Sequence, residues 1–211
     1  PLNIKIIRSD AFGSCKNLTK VEIPPNSNLQ KIESNTFSNL YIKEIYIPAS
    51  VTKICERAFD CCTNLTKVEI PTNSNLRTIE NDVFTFSNIE EIYFSKNLKE
   101  LKEGWCSYTK NLKKIIISPS NDQFILKDDK YLLGKSDKNS DEFDNLLFAN
   151  RDIKEIFIPS NIKIISSYAF QSCKNLIKVE FQPNSNLQTI EKYAFSSSNI
   201  KEISIPSNIK I

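Results

Sequence analysis

The 211-residue sequence contains no histidine, no methionine, three glycines and one tryptophan. Without histidine there is no Ser-His-Asp or Cys-His nucleophile pair, and no imidazole to serve as general base or zinc ligand. Gly13, Gly104 and Gly134 lie too far apart to form GxGxxG or a Walker-type loop, which need clustered glycines to bring backbone N–H groups onto phosphate. No apolar run reaches about 18 residues, so no membrane span is expected, and the first residues do not form a signal peptide. A net charge of +3, with lysines and glutamates interspersed, offers no electrostatic footprint for nucleic acid. Cofactors are expected to be none.

What is present is repetition. Ala11 to Glu33 reads AFGSCKNLTKVEIPPNSNLQKIE, Ala58 to Glu80 reads AFDCCTNLTKVEIPTNSNLRTIE, and Ala169 to Glu191 reads AFQSCKNLIKVEFQPNSNLQTIE. A second version alternates with it, as in IKEIYIPASVTKICERAF from Ile42 and IKEIFIPSNIKIISSYAF from Ile153. The units begin at Leu18, Ile42, Leu65, Ile89, Leu112, Ile153, Leu176 and Ile200, about 23 or 24 residues apart except between Leu112 and Ile153.

Each unit has three parts. L/I-x-x-V/I-x-I-P alternates apolar and polar residues and is rich in β-branched side chains, which suits a short strand. It is stopped by Pro24, Pro48, Pro71, Pro159 or Pro206, because proline cannot donate to a continuing ladder. L/V-x-x-I is too short for a helix and reads as a second extended segment. The third part ends in Ala-Phe or an equivalent (Phe12, Phe37, Phe59, Phe84, Trp105, Phe170, Phe195), and its length fits a helical or 3₁₀ turn. One unit cannot enclose its own apolar residues, whereas stacked copies bury them in columns, so the fold expected is a solenoid of short parallel strands. Asparagines recur before the first segment (Asn17, Asn64, Asn88, Asn111, Asn175, Asn199) and before the second (among them Asn28, Asn75, Asn161 and Asn208). They read as corner residues, because asparagine tolerates left-handed backbone and bonds to nearby main chain. Asn17-Leu18-Thr19 and Asn64-Leu65-Thr66 also match the glycosylation acceptor pattern, but as coil corners both asparagines read against modification.

The six cysteines do not form an evident disulfide framework. Cys15, Cys62 and Cys173 share one repeat position, but Cys15 and Cys62 are two coils and so ~10 Å apart, beyond the ~7 Å bridging limit. They are expected to be small buried residues, with Cys55, Cys61 and Cys106 at non-repeating and more exposed positions. No CxxC pair exists, and acidic residues such as Asp128, Asp129, Asp141 and Glu142 lack calcium-loop spacing, so no metal site is expected.

With Ile-Pro, L/V-x-x-I, Ala-Phe and Cys-x-Asn-Leu in one order and spacing, the chain resembles the BspA-like leucine-rich repeat family over nearly its whole length. The resemblance implies a leucine-rich repeat solenoid. It also implies a place on the cell surface or in secretion, as in bacteria and mucosal protozoa such as trichomonads, and attachment to a protein ligand of the host or extracellular matrix. Residues 1–211 are expected to be a single solenoid. The lack of methionine, and ends that fall in mid-unit at Asn3-Ile4-Lys5-Ile6-Ile7 and Asn208-Ile209-Lys210-Ile211, lead us to expect a segment of a longer array. Residues 120–150 interrupt the repeat as a strand-and-hairpin insertion. It reads either as a packed variant repeat with a disordered tip from Ser136 to Asp144, or as a binding protrusion.

One candidate site emerges. Outward strand positions place Tyr46, Glu69, Tyr93, Ile116 and Phe157 along one face, following Glu22, as a partly aromatic stripe rimmed by lysines. A bland alternative is that these are β-formers, or that the insertion covers Ile116 and Phe157. A non-enzymatic recognition module is therefore expected, with a structural spacer as the alternative. A glycosidase built on paired carboxylates is disfavoured, because a repeating surface has no singular pocket.

Overall fold

The computed structural model describes residues 3–207; Asn208 to Ile211, where the sequence reads a half unit, lie outside the described residues. The chain forms two compact units, residues 1–122 and 123–211.

The first unit carries two parallel sheets, one of five strands and one of four. One holds Glu44–Tyr46, Lys67–Glu69, Glu91–Phe94 and Lys114–Ile117. These are the L/I-x-x-V/I-x-I segments, and their inward residues Ile45, Val68, Ile92 and Ile115 are buried. The other sheet holds the L/V-x-x-I segments as two-residue strands, Ile6–Ile7, Lys31–Ile32, Lys53–Ile54, Thr78–Ile79 and Glu100–Leu101. Ile32, Ile54 and Ile79 stack there with no exposed surface. Serines tie the corners: the Ser50 hydroxyl lies 2.7 Å from both the Ser27 and the Leu29 carbonyl, and the buried Ser95 hydroxyl donates to the Ser74 carbonyl at 3.1 Å.

The third side differs from expectation. No helix occurs there; consecutive turns run instead, with alternate N–H groups serving different partners. Ala11, Gly13 and Cys15 donate to the carbonyls three residues back, at 3.2, 3.1 and 3.2 Å. Asp10, Phe12 and Ser14 donate to Ser34, Thr36 and Ser38 of the next coil, at 3.0, 3.0 and 2.9 Å. A helix would spend every N–H within its own turn and leave the coils unjoined on this side. The alternation needs left-handed residues on both sides of Ala-Phe: Asp10 and Ser14, Asn35 and Asn39, Arg57 and Cys61, Asp82 and Phe86, Gly104 and Tyr108. Of the corner asparagines named above, those within the described residues keep ordinary φ. Some bridge coils instead: the Asn88 amide donates to the Thr63 carbonyl and the Asn161 amide to the Phe143 carbonyl, the latter at 3.1 Å.

Phe12, Phe37, Phe59 and Phe84 stack with ring centroids 5.6, 5.5 and 5.6 Å apart. The next member is Cys106, not Trp105. The Phe84 N–H donates to the Trp105 carbonyl as the Phe59 N–H donates to that of Val83, so Trp105 occupies the alanine position and Cys106 the phenylalanine position. The tryptophan ring packs edge-on against Phe94, centroids 5.6 Å apart. Cys55 and Cys106 are buried and Cys15 is exposed, the reverse of expectation, while Cys62 and Cys173 are buried as read; all six are free thiols. Burial pushes the Cys62 thiol up to about 12, which makes it an unreactive packing group.

The second unit opens with an antiparallel meander, Phe124–Lys127, Tyr131–Gly134 and Asn145–Ala149, and continues in parallel with Ile164–Ile165 and Thr189–Ile190. A separate sheet carries Glu155–Ile158, Lys178–Phe181 and Glu202–Ile203. Phe170 and Phe195 continue the stacking at 4.8 Å. At Gly134 an added Cβ would lie 2.7 Å from Leu147 Cδ1, so any other residue there would push the leucine side chain aside. The segment from Ser136 to Asp144 is tied at its base: buried Asp144 accepts the Ser136 N–H and hydroxyl, both at 2.8 Å, and pairs with Lys163 at 3.0 Å. Burial alone would push the Asp144 carboxyl up. The Ser136 N–H, the Lys163 ammonium and the Ser136 hydroxyl outweigh it and hold the group below the ordinary carboxylate range.

Three substitutions test this packing. Phe59→Ala, which opens a cavity in the middle of the phenylalanine column, should cost about 3–5 kcal/mol in denaturant unfolding. Lys67→Ala on the exposed sheet should change stability by no more than about 0.5 kcal/mol. Asp144→Asn should destabilise by about 1–3 kcal/mol near neutral pH. Because the folded pKa is depressed, that contribution is full above the unfolded carboxylate pKa of about 3.9 and is lost as pH falls through the folded value. The stability gap between parent and variant, followed by chemical denaturation, should close on the acid side.

Candidate binding face

The outward residues of the four-stranded sheet form two rows. Residue pairing puts Glu44 beside Lys67, Lys67 beside Glu91 and Glu91 beside Lys114. The neighbouring row runs Tyr46 beside Glu69, then Tyr93 beside Ile116, with cross-strand neighbours about 4.8 Å apart. Both rows follow from the alternating units: one version supplies Lys-x-Glu, the other Glu-x-Tyr. Lys67 pairs with Glu69 of its own strand at 2.9 Å, and Lys114 with Glu91 of the next strand at 3.0 Å. Charge on this face is thus neutralised locally. In the lysine–glutamate pair on Lys67 and Glu69, the side-chain hydrogen bond is the main cause of the raised lysine pKa.

Tyr46, Glu69, Tyr93 and Ile116 therefore share one sheet, with the two tyrosines half-buried and Ile116 38% exposed. Phe157, at 51% exposure, belongs to the three-stranded sheet of the second unit, where it pairs with Glu180. The meander from Phe124 to Ala149 intervenes in the chain between the two sheets, so Phe157 does not follow Ile116 strand to strand.

Glu22, which heads the outward series, is also placed differently. Leu18–Pro24 and Leu65–Pro71 have the same sequence, LTKVEIP, yet Lys20–Ile23 forms no strand. Leu18, Val21 and Ile23 are only half-buried where Leu65, Val68 and Ile70 are buried, and Glu22 pairs with Lys20. Between this segment and the strand Glu44–Tyr46 lies a groove of about 1260 Å³, lined among others by Thr19, Tyr41, Lys43, Tyr46, Thr66 and Glu69. Tyr41, 45% exposed, was not singled out from the sequence; it stands where other coils place a corner asparagine, and that substitution was its signal. Phe86 and Tyr108 were missed likewise. Both have left-handed backbone and stack at 4.4 Å with Phe86 46% exposed, and their equivalent positions in successive coils mark them as a pair.

Among the described residues, no group of three Cys, Asp or Glu lies close enough to hold a metal ion, and no helix is long and apolar enough to cross a membrane. With two parallel sheets, stacked Ala-Phe turns and a phenylalanine column on the page, comparison with known families is decisive. A model of the BspA-type leucine-rich repeat region matches residues 5–127 and 136–211 in six copies. The chain belongs to the BspA-type leucine-rich repeat family. The stretch that the model omits, 128–135, covers the Asp128–Lys130 turn and the strand Tyr131–Gly134 of the meander.

Solved structures resemble it as well. The pneumococcal vaccine antigen PcpA superposes with a TM-score of 0.90 at 26% identity, covering 100% of this chain and 50% of that one. A leucine-rich cell surface protein of Faecalibacterium prausnitzii gives 0.64 at 21% identity over 98% of this chain and 65% of its own. A leucine-rich repeat protein of Bacteroides ovatus gives 0.57 at 22% identity, over 98% and 59%. The last two speak to the fold alone. The chain thus spans between half and two-thirds of the length of these three. No curated protein matches its sequence.

Proposed function

We propose that this BspA-type solenoid is a non-enzymatic recognition module of a surface or secreted protein. In this reading it holds a protein ligand, of the host or extracellular matrix, on the outward face of the sheet from Glu44 to Ile117. The observation that carries it is the row Tyr46, Glu69, Tyr93, Ile116: large, partly exposed side chains on a rigid sheet, flanked by ion pairs that satisfy one another. Tyrosine offers apolar area with a polar tip and few rotamers to freeze, which suits the centre of an interface. Charges already paired within the face leave steering and rim contacts to the ligand. The description of one structural neighbour as a vaccine antigen supports an extracellular placement. Phe157 is proposed as a separate contact on the second unit.

The test is a Tyr46→Ala/Tyr93→Ala double variant, with Phe157→Ala alongside. Both tyrosines are outward-facing, so the thermal transition should stay within a few degrees of the parent. Binding to a panel of purified extracellular-matrix proteins, read by surface plasmon resonance, should weaken at least tenfold for whichever member the parent binds. A parent that binds no member, or a double variant that binds like the parent, would return the segment to the role of a spacer.

A further inference from the structure

Six corner asparagines precede the outward strands, but only two are followed two residues later by a hydroxyl, Asn17 with Thr19 and Asn64 with Thr66. At the same corner Asn88, Asn111, Asn175 and Asn199 have Glu90, Lys113, Ile177 and Lys201. Asn17, Thr19, Asn64 and Thr66 are all exposed, while Leu65 between the second pair is fully buried. Three of these corners share one turn: the N–H after the asparagine donates to the cysteine carbonyl at 2.8 Å for Leu18, 2.9 Å for Leu65 and 3.2 Å for Leu176. The amides of Asn17 and Asn64 form no side-chain hydrogen bond among the described residues, whereas that of Asn88 is held by the Thr63 carbonyl. The Thr66 hydroxyl makes one long contact, 3.3 Å to the Lys43 carbonyl.

The geometry points to Asn17 and Asn64 as acceptor sites for N-linked oligosaccharide, delivered from a polyprenyl-pyrophosphate donor. The amide nitrogen bonds to the anomeric carbon, the sugar–phosphate C–O bond breaks, polyprenyl pyrophosphate departs, and the amide proton passes to a base of the transferase. Acceptor recognition requires a hydroxyl two residues on, and at both corners the asparagine and threonine are exposed while the leucine between is turned inward, half-buried at Leu18 and fully buried at Leu65. Asn17 and Asn64 are two coils apart, about 10 Å, with exposed Tyr41 in the coil between them. Sugars there rim the groove at the Tyr46 end and leave the Tyr93–Ile116 end open, so a ligand reaches the face from that end.

This inference rests on the extracellular placement proposed above, and the experiment is arranged to separate the two. The chain is produced behind a heterologous secretory leader in a eukaryotic host, so that entry into the secretory pathway does not depend on its own targeting. Secreted protein is analysed by intact mass and by peptide mapping before and after peptide N-glycanase. Two glycans are expected, at Asn17 and Asn64. Thr19→Ala and Thr66→Ala should each remove one, Thr66→Ser should retain it, and Ile177→Thr should add a third at Asn175. Circular dichroism of each secreted variant confirms the fold. Secreted, folded protein without glycan, or glycan that survives loss of the threonine, overturns the assignment. Failure of the matrix-binding test with both glycans present overturns the binding reading alone.

Discussion

Everything in this molecule answers to one spacing, the distance of about 4.8 Å at which main-chain hydrogen bonds hold neighbouring coils. Strands meet that distance without effort. The Ala-Phe side has no strand, and meets it by turning alternate N–H groups along the stack, as in Phe12 to Thr36, Phe37 to Ala58 and Phe59 to Val83. The left-handed residues on both sides of Ala-Phe are what this requires. Each costs about 1–2 kcal/mol in a residue with a side chain, and each is offset by inter-coil bonds that would otherwise leave buried polar groups unmade. The same spacing brings equivalent side chains into contact. The rings stack close to parallel, with centroids 5.5 to 5.6 Å apart in the first unit and 4.8 Å apart between Phe170 and Phe195.

The outward face inherits this order. Because two versions of the unit alternate, the row from Glu44 to Lys114 reverses sign at every coil, and ion pairing is satisfied inside the face. A face built this way has little net field, so in the binding role proposed for it selectivity would fall to shape and to the tyrosines that recur every second coil. Rigid strands hold those rings in place before a partner arrives, which lowers the ordering cost of association. A ligand of the proposed kind would have to match a spacing of about 10 Å between like side chains, twice the coil repeat.

What could be read in advance was whatever repeats as a residue type. The strands, the prolines that stop them and the phenylalanine column were legible because packing in every coil selects the same apolar side chains. The left-handed positions were not, because their demand is on the backbone, and Asp, Asn, Arg, Ser, Cys, Phe and Tyr all appear there. Trp105 misled for a related reason. It is the large residue in Gly104-Trp105-Cys106, and size suggested the phenylalanine position, yet hydrogen-bond register assigns that place to Cys106. Gly104 was the usable signal, since it falls on a left-handed position and fixes the alignment of the two that follow.

The two LTKVEIP segments mark a limit that no closer reading of residues removes. Lys67–Glu69 is a strand because Glu44–Tyr46 and Glu91–Phe94 grip it from both sides. The identical Lys20–Glu22 is not gripped on both sides, and its apolar residues stay half-exposed. Two- and three-residue strands supply too few local bonds to hold an extended shape alone, so strand or loop is a property of the stack and not of the heptapeptide. The same holds for the face. Glu69 gains its place between Tyr46 and Tyr93 from its neighbours, whereas Glu22, with the same residues around it in sequence, becomes the wall of a groove. In a repeat protein the function of a residue is therefore assigned by the coils on either side of it, and a binding face is a property of at least three coils together.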